Sequence, residues 1–102
     1  MIISKAQYTV NADYVEHNKA NIVPVVEALR ALNRTDISYR IFVEEDGKTF
    51  VHLPRFASEE AEQVFSSLPT FKVFLSELQD GHFEVPPKTV KMNLVASTLD
   101  LL

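Results

Sequence analysis

Two alternating runs on either side of Asp46-Gly47 constrain this chain more than any other feature. From Ile37 to Glu45, the residues Ile37, Tyr39, Ile41 and Val43 share one face, and Ser38, Arg40, Phe42 and Glu44 share the other. Thr49 to Phe56 repeats the period of two, so both runs read as strands. An Asp-Gly dipeptide can supply the positive φ angles of a type I′ turn, which predicts a β-hairpin with a two-residue loop. Glu45 then faces Lys48, setting Val43 against Phe50, Ile41 against His52, Tyr39 against Pro54 and Ile37 against Phe56. One face of the hairpin is apolar and carries two polar tips, Tyr39 and His52.

The flanking sequence supplies two helices and two more strands. Ile2 to Val10 alternates, with Ile2, Ser4, Ala6, Tyr8 and Val10 on the more apolar face. Asp13 followed by Glu16 fits a capping arrangement, and Val15, Ile22, Val25, Val26, Leu29 and Leu32 recur at helical spacing. The spacing predicts a helix from about Tyr14 to Leu32, bent near Pro24, whose ring removes a donor and crowds the carbonyl of Ala20. After the hairpin, Ser58 can cap a second helix with Glu59 and Glu60 in its first turn, and Ser67-Leu68-Pro69 restarts it. Leu68, Phe71, Phe74, Leu75 and Leu78 form its buried stripe and Gly81 ends it. Val85-Pro86-Pro87 reads as a stiff connector into a last strand over Thr89 to Ser97, with Val90, Met92, Leu94 and Ala96 facing inward.

The order is β-α-β-β-α-β, an α+β arrangement in which right-handed crossovers place both helices on one face of a four-stranded antiparallel sheet. At 102 residues the chain, 1–102, is expected to be a single ferredoxin-like domain with a small core. The uncovered face, with Ser38, Arg40, Phe42, Thr49, Val51 and Leu53, is too apolar to face water comfortably, and the tail Leu99-Asp100-Leu101-Leu102 adds to it. A second copy is the expected cover, so the chain reads as a homodimer. The formal charge is −4 with lysines and arginines scattered singly, which argues against nucleic acid and membrane surfaces as partners. Absence of cysteine excludes thiolate chemistry and Cys-ligated metals. Without a recognisable targeting segment or membrane span, a cytoplasmic protein is expected.

Three residues are candidates for chemistry. Asn18 lies four before Ile22 and seven before Val25, so it extends the apolar stripe of the first helix and points at the sheet. If that helix covers the face bearing Tyr39 and His52, the three side chains converge between helix and sheet. They either satisfy one another as a buried network or bind and act on a ligand, with His52 as base or hydrogen-bond donor and Tyr39 and Asn18 orienting it. His17, His52 and His82 share no ligand spacing, so no metal site is expected. Glu16 reads as a capping carboxylate, and Phe65, Phe71, Phe74 and Phe83 as core.

Three stretches resemble the dimeric α+β barrel superfamily, close to its small antibiotic-biosynthesis-monooxygenase-like bacterial proteins. They are Glu16-His17-Asn18, the hairpin from Tyr39 through Phe50-Val51-His52, and Leu68-Pro69-Thr70-Phe71-Lys72-Val73-Phe74 followed by Pro86-Pro87. The likeness covers roughly residues 3 to 98 and is specific for fold rather than chemistry. It implies pairing into a dimeric barrel, no bound cofactor, and a small apolar or aromatic substrate handled by a cofactor-independent oxygenase or isomerase, or else a non-catalytic binding or accessory dimer. The haem-degrading branch uses Asn, Trp and His together, and this chain has no tryptophan. The quinone-forming branch needs a roomy apolar pocket with a few hydrogen-bonding groups, which Asn18, Tyr39 and His52 could supply.

Overall fold

A computed structural model describes residues 1–100. Its elements run β1 (Ile2–Val10), a 3₁₀ turn (Ala12–Tyr14), α1 (Val15–Ala31), β2 (Ile37–Val43), β3 (Thr49–Phe56), α2 (Glu59–Ser66), α3 (Pro69–Leu78) and β4 (Phe83–Met92). The strands form one antiparallel sheet in the order β2-β3-β1-β4. This is the ferredoxin-like layout that the element order implies. Its second helical segment is split at Leu68-Pro69, where proline occupies the first turn of α3.

The hairpin has the expected register, with Val43 opposite Phe50, Ile41 opposite His52, Tyr39 opposite Pro54 and Ile37 opposite Phe56. Its turn is different. Gly47 has φ +76° while Asp46 stays outside the left-handed region, and four residues, Glu45 to Lys48, form the loop. Gly47 N–H donates to the Glu44 carbonyl at 2.9 Å, and Glu44 N–H donates to the Thr49 carbonyl at 2.8 Å. The cause is Asp46, whose carboxylate accepts from the Lys48 and Thr49 backbone N–H groups and from the Thr49 hydroxyl. Such side-chain bonding stabilises a wider turn than the type I′ form, and the extra pair of loop residues leaves the register unchanged.

Helix α1 starts after a 3₁₀ turn instead of a capping box. Asp13 lies in that turn and makes no capping bond, while Tyr14 N–H donates to the Asn11 carbonyl at 2.9 Å. Glu16 is exposed and pairs with Lys19 at 3.6 Å. The helix is continuous through Pro24, and both Pro24 and Ala20 lie on its exposed side, where water can replace the lost donor. Ser58 caps α2 as expected, its hydroxyl accepting from Ala61 N–H.

The last strand departs most from expectation. It begins at Phe83, takes in Val85-Pro86-Pro87, and ends at Met92 instead of Ser97. Two register irregularities against β1, between Gln7 and Thr9 and between Thr9 and Val10, accommodate the prolines on this edge strand. Its faces are also reversed. Met92 pairs with Ile3 and Val90 with Lys5, on the uncovered side of the sheet, so neither points inward. Leu94 and Ala96 follow the strand in exposed, irregular chain. Leu101 and Leu102 of the apolar tail lie outside the described residues.

The core lies between sheet and helices, where Tyr8, Val10, Phe50 and Phe56 meet Val25, Phe65, Phe74 and Leu78. Phe71 and Phe83 pack against it. No helix among the described residues is long and apolar enough to cross a membrane.

Candidate functional site

Four elements each place one polar side chain in that core. Asn18 of α1 is fully buried, held inward by the stripe Val15, Ile22, Val25 and Leu29. His52 of β3 is also buried, and Tyr39 of β2 lies beside it, two residue pairs along the hairpin on the same face. The fourth, Tyr8 of β1, is the member that the sequence reading missed. The structure therefore brings Asn18, Tyr39 and His52 together on the helix-covered side: Tyr39 bonds His52 directly, and Asn18 reaches the pair only through Tyr8.

The bonds form a chain. Asn18 Nδ2 donates to Tyr8 Oη at 2.9 Å, Tyr8 Oη lies 2.8 Å from His52 Nε2, and His52 Nδ1 lies 2.5 Å from Tyr39 Oη. Burial lowers the His52 pKa to about 4, so the imidazole is neutral at pH 7. Burial likewise pushes the Tyr8 and Tyr39 hydroxyls well above the usual phenol range, keeping both protonated. A neutral imidazole has one donor and one acceptor nitrogen. With the Asn18 amide donating to Tyr8, the Tyr8 O–H donates to Nε2 and Nδ1–H donates to Tyr39. The opposite tautomer would leave the Tyr8 hydrogen without an acceptor at a residue only 3% exposed. In the favoured arrangement the Tyr39 hydrogen is the one left over.

That spare hydrogen lies at a cleft. A space of about 320 Å³ opens between the sheet and helices α2 and α3, with Tyr39, His52 and Tyr8 in its lining. Pro54 and Phe56 of β3 face Phe65, Phe71, Phe74 and Leu75 across it, so most of the wall is apolar. Phe65 stands edge-on to the Tyr39 ring, centroids 4.9 Å apart, which fixes the ring's orientation. Asn18 does not line the cleft and can act on its contents only through Tyr8. Its Oδ1 is buried without a hydrogen-bond partner.

The other histidines sit elsewhere. His17 approaches Glu77 at 3.6 Å, and His82 stacks on Tyr14 with ring centroids 3.9 Å apart. Among the described residues, no group of three or more His, Asp or Glu side chains is placed to hold a metal ion. Tyr8 could have been found from its place on the inward face of the first strand, since sheet order puts β1 beside β3. Phe50 is its direct partner and His52 the diagonal one, within reach of a tyrosine.

Solved structures with the same fold are numerous. An antibiotic biosynthesis monooxygenase superposes with a TM-score of 0.76 at 18% identity, covering 94% of this chain and 100% of the other. A Bacteroides thetaiotaomicron protein, provisionally described as an antibiotic biosynthesis monooxygenase, gives 0.83 at 14% identity, covering 99% and 95%. Rv0793 from Mycobacterium tuberculosis gives 0.77 at 16% identity, covering 96% and 98%. At these identities the likeness shows the fold, which is the one the resemblance in sequence implies. No family model and no curated protein matches the chain.

Proposed function

We propose that the chain is a cofactor-independent oxygenase acting on a small, partly apolar hydroxyaromatic molecule held in the helix–sheet cleft. The observation that carries this reading is a cleft of about 320 Å³ against which a neutral hydrogen-bond chain ends in a spare Tyr39 O–H. The apolar walls suit an aromatic ring, and a fixed donor among them stabilises the phenolate that forms when the substrate ionises. Such an anion is electron-rich enough to reduce dioxygen. One oxygen atom enters at a free ring carbon as a quinone carbonyl, and the other leaves as water, which carries away the phenolic proton and the hydrogen of that carbon. Tyr39 is the catalytic residue in this scheme. His52 sets the direction of its hydrogen, and Asn18 and Tyr8 fix the tautomer of His52. A pKa near 4 suits His52 to this orienting role better than to that of a base. The description of similarly folded proteins as monooxygenases supports the same reading.

The test is dioxygen uptake with 1-naphthol, whose free para carbon can take the oxygen atom to give 1,4-naphthoquinone, measured beside chemical-shift changes at Tyr39 and His52. Accelerated uptake that Tyr39→Phe removes is the expected result. Binding without uptake would make the chain a non-catalytic binding module, and absence of both would overturn the proposal.

We also propose that a second copy covers the open sheet face. Phe42, Val90 and Met92 are exposed there, on the same side as Ile3, Val51 and Leu53. A monomer would leave this surface in water.

A further inference from the structure

The charges around the cleft are unevenly placed. Among the described residues that line it, Glu62 is the one carboxylate, and there is no lysine or arginine. Glu62 stands on α2 beside the fully buried Ala61 and one turn before Ser66, which shares the lining. Its neighbour Glu60 is bound by Arg34 at 2.7 Å, but no cation among the described residues lies within ion-pair distance of Glu62. Most of the sheet's cations are turned away: Lys5 pairs with Val90, Lys88 with Gln7, Arg40 with Leu53 and Arg55 with Ile3, all on the open face. Lys91, opposite Ser4 on the covered face, is exposed and stays outside the cleft lining.

We infer that the cleft selects its ligand by charge, admitting an aromatic molecule that is neutral or carries a cationic group at the Glu62 end and rejecting one with a carboxylate there. The inference rests on the cleft being a ligand site, as proposed above, and names the class of molecule it takes. Glu62 meets the ligand's substituent, while Tyr39 meets its oxygen from the sheet side. A lone carboxylate at the edge of a low-dielectric cleft attracts a cation and repels an anion, enough to separate two otherwise equal ligands by roughly tenfold or more at low salt.

Three probes of one shape test this: 1-naphthylmethylamine, 1-naphthylmethanol and 1-naphthoate, titrated by fluorescence at pH 7 in low salt. The amine should bind at least about tenfold tighter than the carboxylate, with the alcohol between them. Glu62→Gln should collapse that ratio to near unity, and Glu62→Lys should invert it. Binding of the alcohol with no preference between amine and carboxylate would overturn the role of Glu62 and leave the cleft reading standing. Binding of none of the three would overturn both.

Discussion

Tyr8 Oη lies 2.8 Å from Nε2 of His52 although the two residues are not backbone partners, because His52 pairs with Ala6 and Tyr8 with Phe50. The diagonal contact joins β1 to β3 through side chains and makes Tyr8 the hinge of the polar chain, since it alone touches both Asn18 and His52. Tyr8→Phe should therefore strip a partner from two buried groups at once and cost about 2–4 kcal/mol. Tyr39→Phe removes a partner only from His52 Nδ1, beside a cleft that water can enter, and should cost about 1 kcal/mol while abolishing dioxygen uptake. Urea unfolding of both variants checks the order. A larger loss for Tyr39→Phe than for Tyr8→Phe would contradict it.

His52 gives the fold a pH dependence of its own. Its folded pKa of about 4 lies below the unfolded value near 6.5, so between these limits the unfolded chain binds the extra proton. Stability should be full above pH 6.5, fall by about 3 kcal/mol as pH drops to 4, and level off below that as far as this group is concerned. The lowered carboxyls of Asp36 and Asp46 act in the same direction but only below their unfolded values near 4. His52→Gln should flatten the slope between pH 4.5 and 6.5. Urea unfolding at several pH values measures it, and an unchanged slope in the variant would assign the effect to other groups.

Asn18 behaves differently from its neighbours because half of its amide is already unsatisfied. Its Nδ2 bonds Tyr8, but its buried Oδ1 has no partner. Asn18→Leu loses one hydrogen bond and at the same time removes an orphaned acceptor, so its stability should stay within about 1 kcal/mol of the parent. If the residue fixes the tautomer of His52, turnover should still drop, because the Tyr8 hydroxyl is then free to reverse its hydrogen bond. Unchanged turnover would exclude that role.

The sequence made the convergence of Asn18, Tyr39 and His52 legible because each belongs to a strong local period. Alternation puts Tyr39 and His52 each on one face of its strand, the loop at Asp46-Gly47 sets the hairpin pairs, and the helical stripe aims Asn18 inward whatever the helix packs on. Tyr8 was hidden because its partner is chosen by sheet order and by the register between β1 and β3, which no local pattern states. The last strand misled for a related reason. Val90, Met92, Leu94 and Ala96 do alternate, but alternation identifies a face without saying which side of the sheet it joins. The prolines at 86 and 87 read as a break in pairing, whereas an edge strand absorbs them with register shifts. The turn misled because Asp46 acts through its carboxylate, accepting three bonds, and not through a left-handed backbone.

The reversed face of β4 strengthens the case for a dimer, since Val90 and Met92 join Phe42 on the side that no helix covers. Sedimentation at micromolar concentration should show a species of twice 11.6 kDa. Phe42→Asp should shift it to monomer, whereas Val73→Asp, at a comparably exposed apolar residue on α3, should not. Salt adds a second criterion. The open face also carries Lys5, Arg40 and Arg55, and pairing two identical faces brings like charges toward each other. Association driven by apolar burial against that repulsion should tighten as salt rises, because screening weakens the repulsion and leaves the burial intact. A complex held by ion pairs between copies would loosen instead. A single 11.6 kDa species at all salt concentrations would end the dimer proposal.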